Sequence, residues 1–251
     1  MIRTFFAVLF VAVYLLLTLP VLLVLFLISK KYPTGARLAL QRLVGWAFTV
    51  VCFISGVRLT VIGRENIPED RPVLFVGNHQ SFFDVIACFP LIRPRFAYIA
   101  KKELDQIPLL GLSMRFLGCL FIDRENLREG VKTILKAADE VKEGTSIFIF
   151  PEGTRNKSGD ELNLGEFHEG SFRVAQKGEC PIIPVSFNNT ANVLENHFPR
   201  IKSQHVVIEF GEPRSWDDFD RSTQRHLGVY YRDLLIGMIK KNQALTEEKA
   251  G

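Results

Sequence analysis

The sequence has few cysteines and histidines, and none of them follows a familiar spacing. The four cysteines contain no Cys-x-x-Cys pair, and a chain of 251 residues does not need a disulfide framework. We therefore expect reduced, mostly buried thiols and a catalytic part in the cytoplasm. The five histidines are scattered without metal-ligand spacing, so we expect no metal site. A content of 47% hydrophobic and 23% charged residues argues against both a disordered chain and a multi-span transporter.

Acidic residues are absent from the first 64 positions, which hold seven basic residues. The remainder holds 24 basic and 27 acidic residues, a net of −3, although the whole chain carries +4. The positive charge therefore accompanies the apolar N-terminal part, where it would face anionic lipid headgroups. No basic stripe with interleaved aromatic residues marks the remainder, so we expect no nucleic-acid partner.

The N-terminal part begins with a long uncharged run at residues 4–29. As a helix, these 26 residues would be about 39 Å long, enough to cross a hydrocarbon core of about 30 Å. A signal peptide is the alternative, but the run is too long and no small-x-small cleavage site precedes Lys30 and Lys31. Pro20 lies inside the run and is expected to kink the helix.

A second uncharged run, residues 43–57, is too short to span a membrane comfortably. Trp46 and the flanking arginines suit an interfacial or re-entrant helix, with Thr34 as its candidate N-cap. Two arrangements stay open: one span followed by a surface helix, or a helical hairpin that dips into one leaflet. In both, the neighbouring basic residues predict that the following domain is cytoplasmic. These residues are Lys30, Lys31, Arg37 and Arg42.

From residue 58 onward, short apolar runs alternate with amphipathic stretches, which predicts an α/β fold with a layered sheet flanked by helices. The clearest helix has apolar positions on one face from Leu127 to Val141 and ends at Lys142 and Gly144. Further helices are expected near residues 171–177 and 223–240. The expected strands are residues 58–62, 73–76, 96–100, 119–122, 146–150, 182–187 and 206–210.

These patterns divide the chain into three parts. We predict membrane-anchoring helices at residues 1–57, an α/β catalytic domain at residues 58–245 and a solvated tail at residues 246–251.

His79 and Asp84 follow the second predicted strand. His79 would lie on the turn at the strand's carboxyl end, where open α/β sheets place their sites. Asp84, in the first turn of the next helix, could hold the imidazole Nδ1–H and leave Nε2 to accept a proton. No Gly-x-Ser-x-Gly serine nucleophile accompanies them. The alternative is an ordinary turn histidine beside a Ser81–Asp84 capping box, and spacing alone does not separate the two.

Three further stretches indicate a functional site only when they are taken together. In Phe-Pro-Glu-Gly-Thr-Arg, Gly153 permits a tight backbone, Thr154 adds a hydroxyl, and Arg155 adds a planar fork suited to phosphate. Arg124 ends a strand and would either grip a phosphate or pair with an acidic neighbour. Pro184 lies within a strand and indicates an edge, a bulge or an ordinary core strand. Each of these could be incidental alone.

The four stretches, in this order, resemble the glycerolipid acyltransferase family of glycerol-3-phosphate and lysophosphatidic acid acyltransferases. The family pattern is Asn-His, four residues and Asp, then Phe-Ile-Asp-Arg, Phe-Pro-Glu-Gly-Thr-Arg and a Val/Ile-Pro-Val strand. The resemblance covers most of residues 58–212 and implies an α/β domain with an N-terminal membrane-binding motif. Three positions depart from it: Asn156 stands where serine is usual, and His168 and Glu169 stand where many members have two lysines.

The resemblance implies a 1-acyl-sn-glycerol-3-phosphate O-acyltransferase, which moves an acyl chain from a thioester to lysophosphatidic acid and forms phosphatidic acid. His79 would deprotonate the acceptor hydroxyl, and Asp84 would orient the His79 imidazole. No cofactor or metal is implied. The implied donor is acyl-CoA or acyl carrier protein, and the implied place is the cell membrane, among its lipids. The implied substrate-binding residues are Lys101, Lys102, Arg124, Glu152, Gly153, Thr154 and Arg155.

Other activities stay open at this point. The same chemistry could acylate glycerol-3-phosphate, another lysophospholipid or a lyso-aminolipid. His79 could instead activate water to hydrolyse an acyl thioester. A lipid-binding membrane protein without activity would require His79 and Asp84 to be incidental.

Overall fold

A computed structural model describes residues 1–93 and 95–247, without the side chain of Glu247. The predicted tail falls outside the described residues from position 248 onward. The strands are β1 Arg58–Ile62, β2 Leu74–Gly77, β3 Phe96–Lys101, β4 Leu120–Ile122, β5 Ser146–Ile149, β6 Ile182–Asn188 and β7 His205–Phe210. The α-helices are α1 Ile2–Ser29, α2 Pro33–Ser55, α3 Phe82–Cys88, α4 Lys102–Asp105, α5 Leu110–Phe116, α6 Leu127–Lys142, α7 Arg173–Gly178, α8 Arg221–Arg225 and α9 Leu227–Glu247.

The strands form one sheet in the order β1-β7-β6-β2-β5-β3-β4. All seven predicted strands are confirmed, each within one residue of its expected bounds. The five strands β6, β2, β5, β3 and β4 are mutually parallel, whereas β7 runs antiparallel to β6 and parallel to β1. The carboxyl ends of five neighbouring strands therefore meet at one edge of the sheet.

Helices cover both faces of the sheet, which explains why its central strands are apolar at successive positions. In β5, Ile147 and Ile149 face the core beneath α6, α7 and α9, while Phe148 faces an aromatic core beneath α2 and α3. Strand side chains alternate between the two faces of the sheet, and because helices cover each face, both sets are buried. The predicted α/β layered fold is confirmed.

The predicted third helix is two helices, α8 and α9, separated at His226. The predicted second helix begins as a short 3-10 turn, Glu169–Phe172, and continues as α7.

The helices α1 and α2 form an N-terminal hairpin joined by three residues. α1 runs unbroken through Pro20. The uncharged run at residues 43–57 covers only part of the second helix, because α2 starts at Pro33 and has 23 residues, which is long enough to span a membrane by length and composition alone. Thr34 is not its N-cap: that position is Tyr32, which makes no side-chain cap, and Pro33 occupies the first turn, where its missing N–H costs nothing.

Polar residues in the first half of α2 contact the catalytic domain. The Arg37 Nε donates to the Leu117 carbonyl at 2.9 Å, and the Gln41 Oε1 accepts from the Arg95 N–H at 2.6 Å. At the other end of α2, Ser203 Oγ donates to the Gly56 carbonyl. α2 is thus docked along its whole length, and α1 packs outside it with most of its apolar surface exposed.

Candidate active site

His79 and Asp84 lie next to each other at the carboxyl edge of the sheet. The His79 Nδ1 is 2.8 Å from the Asp84 Oδ2. Because a carboxylate only accepts hydrogen bonds, Nδ1 carries the proton and Nε2 presents its lone pair. The Asp84 side chain is fully buried, whereas His79 is 20% exposed, so the imidazole can meet a ligand. We call these two residues the catalytic pair.

Asp84 also caps α3. Its Oδ2 accepts from the backbone N–H groups of Gln80 at 2.7 Å and Ser81 at 2.8 Å, and the Ser81 Oγ accepts from the Phe83 N–H at 2.9 Å. The capping box and the orientation of His79 were alternatives in the sequence. In the structure, one carboxylate makes both sets of contacts.

Asn78 fixes the turn that carries His79. Its side-chain oxygen accepts from the Phe187 N–H at 2.9 Å, and its amide donates to the Phe187 carbonyl at 3.1 Å. These bonds continue the pairing of β2 with β6 beyond Gly77, where strand pairing ends. The Asn156 N–H donates to the His79 carbonyl at 2.7 Å from the opposite side. The backbone of the turn is therefore held by two neighbouring segments.

Phe150 and Glu152, at the end of β5, pack around His79. The Phe150 ring stacks on the imidazole with centroids 4.1 Å apart. The Glu152 Oε1 accepts from the His79 N–H at 2.8 Å, and its Oε2 accepts from the Gly165 N–H at 2.9 Å. Burial raises the pKa of the Glu152 carboxyl. Since both oxygens contact backbone N–H groups, the geometry favours a positioning role for Glu152 over direct contact with an anionic substrate.

The residues after Glu152 turn the chain towards the solvent. Gly153 has a φ of +73°, which an L side chain rarely adopts, and Thr154 is exposed. The Arg155 guanidinium lies over the Phe82 ring, 4.1 Å from its centroid, and donates through NH1 to the Glu195 Oε1 at 3.3 Å. Arg155 is thus held beside the start of α3, on the same side of the sheet edge as His79.

The other predicted cations come from the next two strands. Lys102 pairs with Asp123 at 2.8 Å and Lys101 with Glu103 at 3.2 Å. The hydrogen bond raises the pKa of Lys102 and lowers that of Asp123. Such exposed pairs are weak, so their cations can exchange a carboxylate for a phosphate. We call Lys101, Lys102, Arg124 and Arg155 the basic rim.

A cleft of about 670 Å³ opens between α6 and the segment that precedes α7, and neither His79 nor Asp84 lines it. Arg124, Gly153 and His168 line its polar end, and Phe150, which stacks on His79, also borders it. The wall formed by α6 is apolar. It consists of Leu127, Val131, Ile134 and Leu135. The lining also includes Asp123, Glu169, Arg173 and Lys177, so charges of both signs accompany an apolar wall that suits a hydrocarbon chain.

Thr190 and Glu195 also contact the site, and sequence reasoning missed them. The Thr190 Oγ1 donates to the Asp84 Oδ1 at 2.6 Å. The Glu195 Oε2 accepts from the Ser81 Oγ at 2.6 Å, in addition to the contact with Arg155. Their only signal was their place after β6, which no motif marked.

Comparison with known proteins agrees with this geometry. Residues 58–188, just over half of the chain, match the family model described as Acyltransferase. The crystal structure of the 1-acyl-sn-glycerophosphate (LPA) acyltransferase PlsC from Thermotoga maritima has a TM-score of 0.74, covers 96% of each chain and is 24% identical, which shows the fold.

Several curated relatives carry one activity in their names. A 1-acyl-sn-glycerol-3-phosphate acyltransferase from Haemophilus influenzae is 32% identical over 192 residues, 74% of this chain and 77% of that protein. One from Saccharomyces cerevisiae is 29% identical over 208 residues, 80% of this chain and 68% of that protein. One from Chlamydomonas reinhardtii is 34% identical over 181 residues, and the alignment spans about half of it, 52%. The chain belongs to the acyltransferase family and is an acyltransferase.

Proposed function

We propose that this enzyme is a 1-acyl-sn-glycerol-3-phosphate O-acyltransferase, which converts lysophosphatidic acid into phosphatidic acid. The observation that carries the proposal is the catalytic pair: His79 is held by buried Asp84 and stacks on Phe150, which also lines a cleft that contains Arg124 and an apolar wall. The activity named for the relatives supports the choice of acceptor.

The chemistry needs only one base. The His79 Nε2 takes the proton from the acceptor hydroxyl as its oxygen attacks the thioester carbonyl carbon. The new C–O bond forms, the C–S bond breaks, and the thiolate leaves with the proton that His79 received. Asp84 supports the imidazolium between these steps. The proposed donor is acyl-CoA or acyl carrier protein, and no cofactor or metal takes part.

The basic rim is proposed to hold the phosphate of the acceptor. The guanidinium groups of Arg124 and Arg155 offer planar forks for phosphate oxygens, and Lys101 and Lys102 add charge without fixed geometry. Gly153 and Thr154 shape the backbone between them. The apolar wall of the cleft accommodates an acyl chain, whose burial stabilises the complex by roughly 0.8 kcal/mol per methylene group.

The N-terminal hairpin is proposed to place this site at a membrane surface. Both helices are apolar and long enough to cross a membrane by length and composition alone. However, α2 is docked on the catalytic domain along its length, and the Thr4 Oγ1 at the start of α1 accepts from the Ile201 N–H at 2.9 Å. These contacts favour a hairpin lying in one leaflet over a span. The positive charge of this region favours the cytoplasmic face.

The activity is tested with purified protein in liposomes, labelled acyl-CoA or acyl carrier protein, and a panel of lysolipids with glycerol-3-phosphate. We expect phosphatidic acid from lysophosphatidic acid, and none from a folded His79→Ala variant. Preferred acylation of another acceptor would replace lysophosphatidic acid in the proposal. Thioester loss that does not depend on any acceptor would identify a hydrolase instead.

The membrane arrangement is tested with Arg3→Cys in a Cys52→Ala background, using an impermeant thiol reagent on sealed vesicles. A hairpin exposes position 3 on the side of the catalytic domain, whereas a span exposes it on the opposite side. Lys31→Cys is the matched control, because it lies on the side of the domain in both arrangements.

A further inference from the structure

Residues 190–195 follow β6 and return over the start of α3, so that they contact both parts of the site. The acyltransferase motifs end before this segment, at Val185. Asn189, with a φ of +67°, reverses the chain directly after the strand. Because β6 is the parallel neighbour of β2, the residues that follow these two strands meet at the same edge of the sheet.

Thr190 completes the hydrogen bonding of Asp84. The Asp84 Oδ2 serves His79 and two backbone N–H groups, whereas Oδ1 accepts from the Thr190 Oγ1 at 2.6 Å. Both side chains are fully buried. The contact fixes the rotation of the carboxylate about its own axis.

Glu195 contacts the other part of the site. Its Oε1 accepts from the Arg155 NH1 at 3.3 Å and from the Phe82 N–H at 2.8 Å, and its Oε2 accepts from the Ser81 Oγ at 2.6 Å. The Phe82 ring supports the flat face of the guanidinium. Arg155 is therefore held at one edge and one face, and its other edge stays available to a phosphate.

We propose that Thr190 and Glu195 are positioning residues that act on different steps. Thr190 orients Asp84 and through it the base, so it governs turnover. Glu195 holds the guanidinium of Arg155 in the orientation that receives the acceptor phosphate, so it governs acceptor binding. The role of Glu195 rests on the proposed function.

The test compares steady-state kinetics of Thr190→Val and Glu195→Gln in the full chain, in liposomes. Thr190→Val keeps the shape but removes the donor: we expect kcat to fall about 10- to 100-fold at nearly constant acceptor KM, and the acid limb of the kcat–pH profile to move to higher pH. Thr190→Ser restores the hydroxyl and should recover most of the turnover.

Glu195→Gln keeps an acceptor for the start of α3 and removes the charge that faces Arg155. We expect acceptor KM to rise about 3- to 10-fold, with kcat within about twofold. Asn196→Ala, at the exposed position directly after Glu195, is the matched control and should change neither constant.

The two variants are decisive as a pair. Thr190→Val with unchanged kcat and pH profile would overturn the role of Thr190. An unchanged or lower KM in Glu195→Gln would overturn that of Glu195, and a lower value would show that it competes with phosphate. If both variants show a lower kcat and a higher acceptor KM to the same extent, together with a lower Tm, the segment has only a structural role. If the parent enzyme prefers another acceptor, the proposed function fails alone, and the same comparison is made on that acceptor.

Discussion

The catalytic pair and the basic rim lie within one sheet edge but are built in opposite ways. Asp84 is fully buried, and each of its oxygens has at least one hydrogen-bond partner. The cations of the rim are at least partly exposed, and Lys101, Lys102 and Arg155 pair with carboxylates at 2.8–3.3 Å.

The difference fits the roles proposed for the two regions. A base must be in place before the reaction, because a preorganised group needs no rearrangement as charge develops. A binding group must remain accessible to its ligand. Lys101 and Lys102 can exchange a carboxylate for a phosphate because exposed ion pairs are worth only about 0–1 kcal/mol, whereas Arg155 keeps its contact with Glu195 and offers its other edge. Substitutions in the pair should therefore lower turnover, and those in the rim should weaken binding.

Asp84→Asn gives the largest expected effect among the variants that keep His79. The amide cannot accept at every position now used, and it can place His79 in the wrong tautomer, so kcat should fall by about 10²- to 10⁴-fold with little change in acceptor KM. The measurement is steady-state kinetics on protein whose Tm is checked in parallel. Near-normal turnover would break the distinction between the two regions, because buried hydrogen bonds would then not govern the chemistry.

Arg155→Ala should raise acceptor KM by about 10-fold, since a charge-assisted bidentate contact with phosphate is lost. Arg155→Lys should recover only part of the affinity, because an ammonium group lacks the planar fork. Titration with lysophosphatidic acid at saturating donor measures both. Arg71→Ala, which removes an exposed arginine paired with Asp70, is the control. A pure kcat effect would assign Arg155 to the chemistry instead.

Lys101→Ala and Lys102→Ala should have smaller effects, an increase in acceptor KM of about threefold or less. Their charges are exposed, and a compact ammonium contributes mainly long-range attraction. Raising the salt concentration should remove most of the difference from the parent enzyme. A difference that persists at high salt would show direct coordination of the phosphate and would place these lysines beside Arg155 in importance.

Glu152→Gln should produce the smallest signal, in stability rather than in catalysis. Burial raises the pKa of Glu152 in the folded state, so the folded protein binds more protons than the unfolded chain between the ordinary and the raised pKa. Its contribution to stability is complete below the ordinary pKa and is lost as pH rises through the raised value. The free energy of unfolding, measured with denaturant across this pH window, should fall less steeply with rising pH in the Gln variant. A pH-independent difference is also expected, because the Gln amide has one acceptor oxygen fewer. Identical pH slopes in the two proteins would refute the raised pKa of Glu152.

Much of the fold could be predicted because its signals are local. Apolar runs marked all seven strands, and the heptad-like face of α6 marked that helix. The uncharged run marked only the second half of α2, because polar and charged residues interrupt the apolar pattern before it. Two of these, Arg37 and Gln41, contact Leu117 and Arg95 of the catalytic domain. The Thr34 cap failed because Pro33 already starts the helix.

The α/β class and the two apolar N-terminal segments follow from the sequence alone, because they depend on the periodicity and length of apolar runs. The sequence placed His79 and Asp84 five positions apart, but it left open whether they pair and whether the two apolar segments form a hairpin. The three-dimensional fold was needed to show that Glu152 holds the backbone of His79, and that Thr190 and Glu195 contact Asp84 and Arg155. Asp84 and Thr190 are 106 positions apart. Their contact depends on β6 pairing beside β2, and strand order is a property of the whole sheet rather than of any segment.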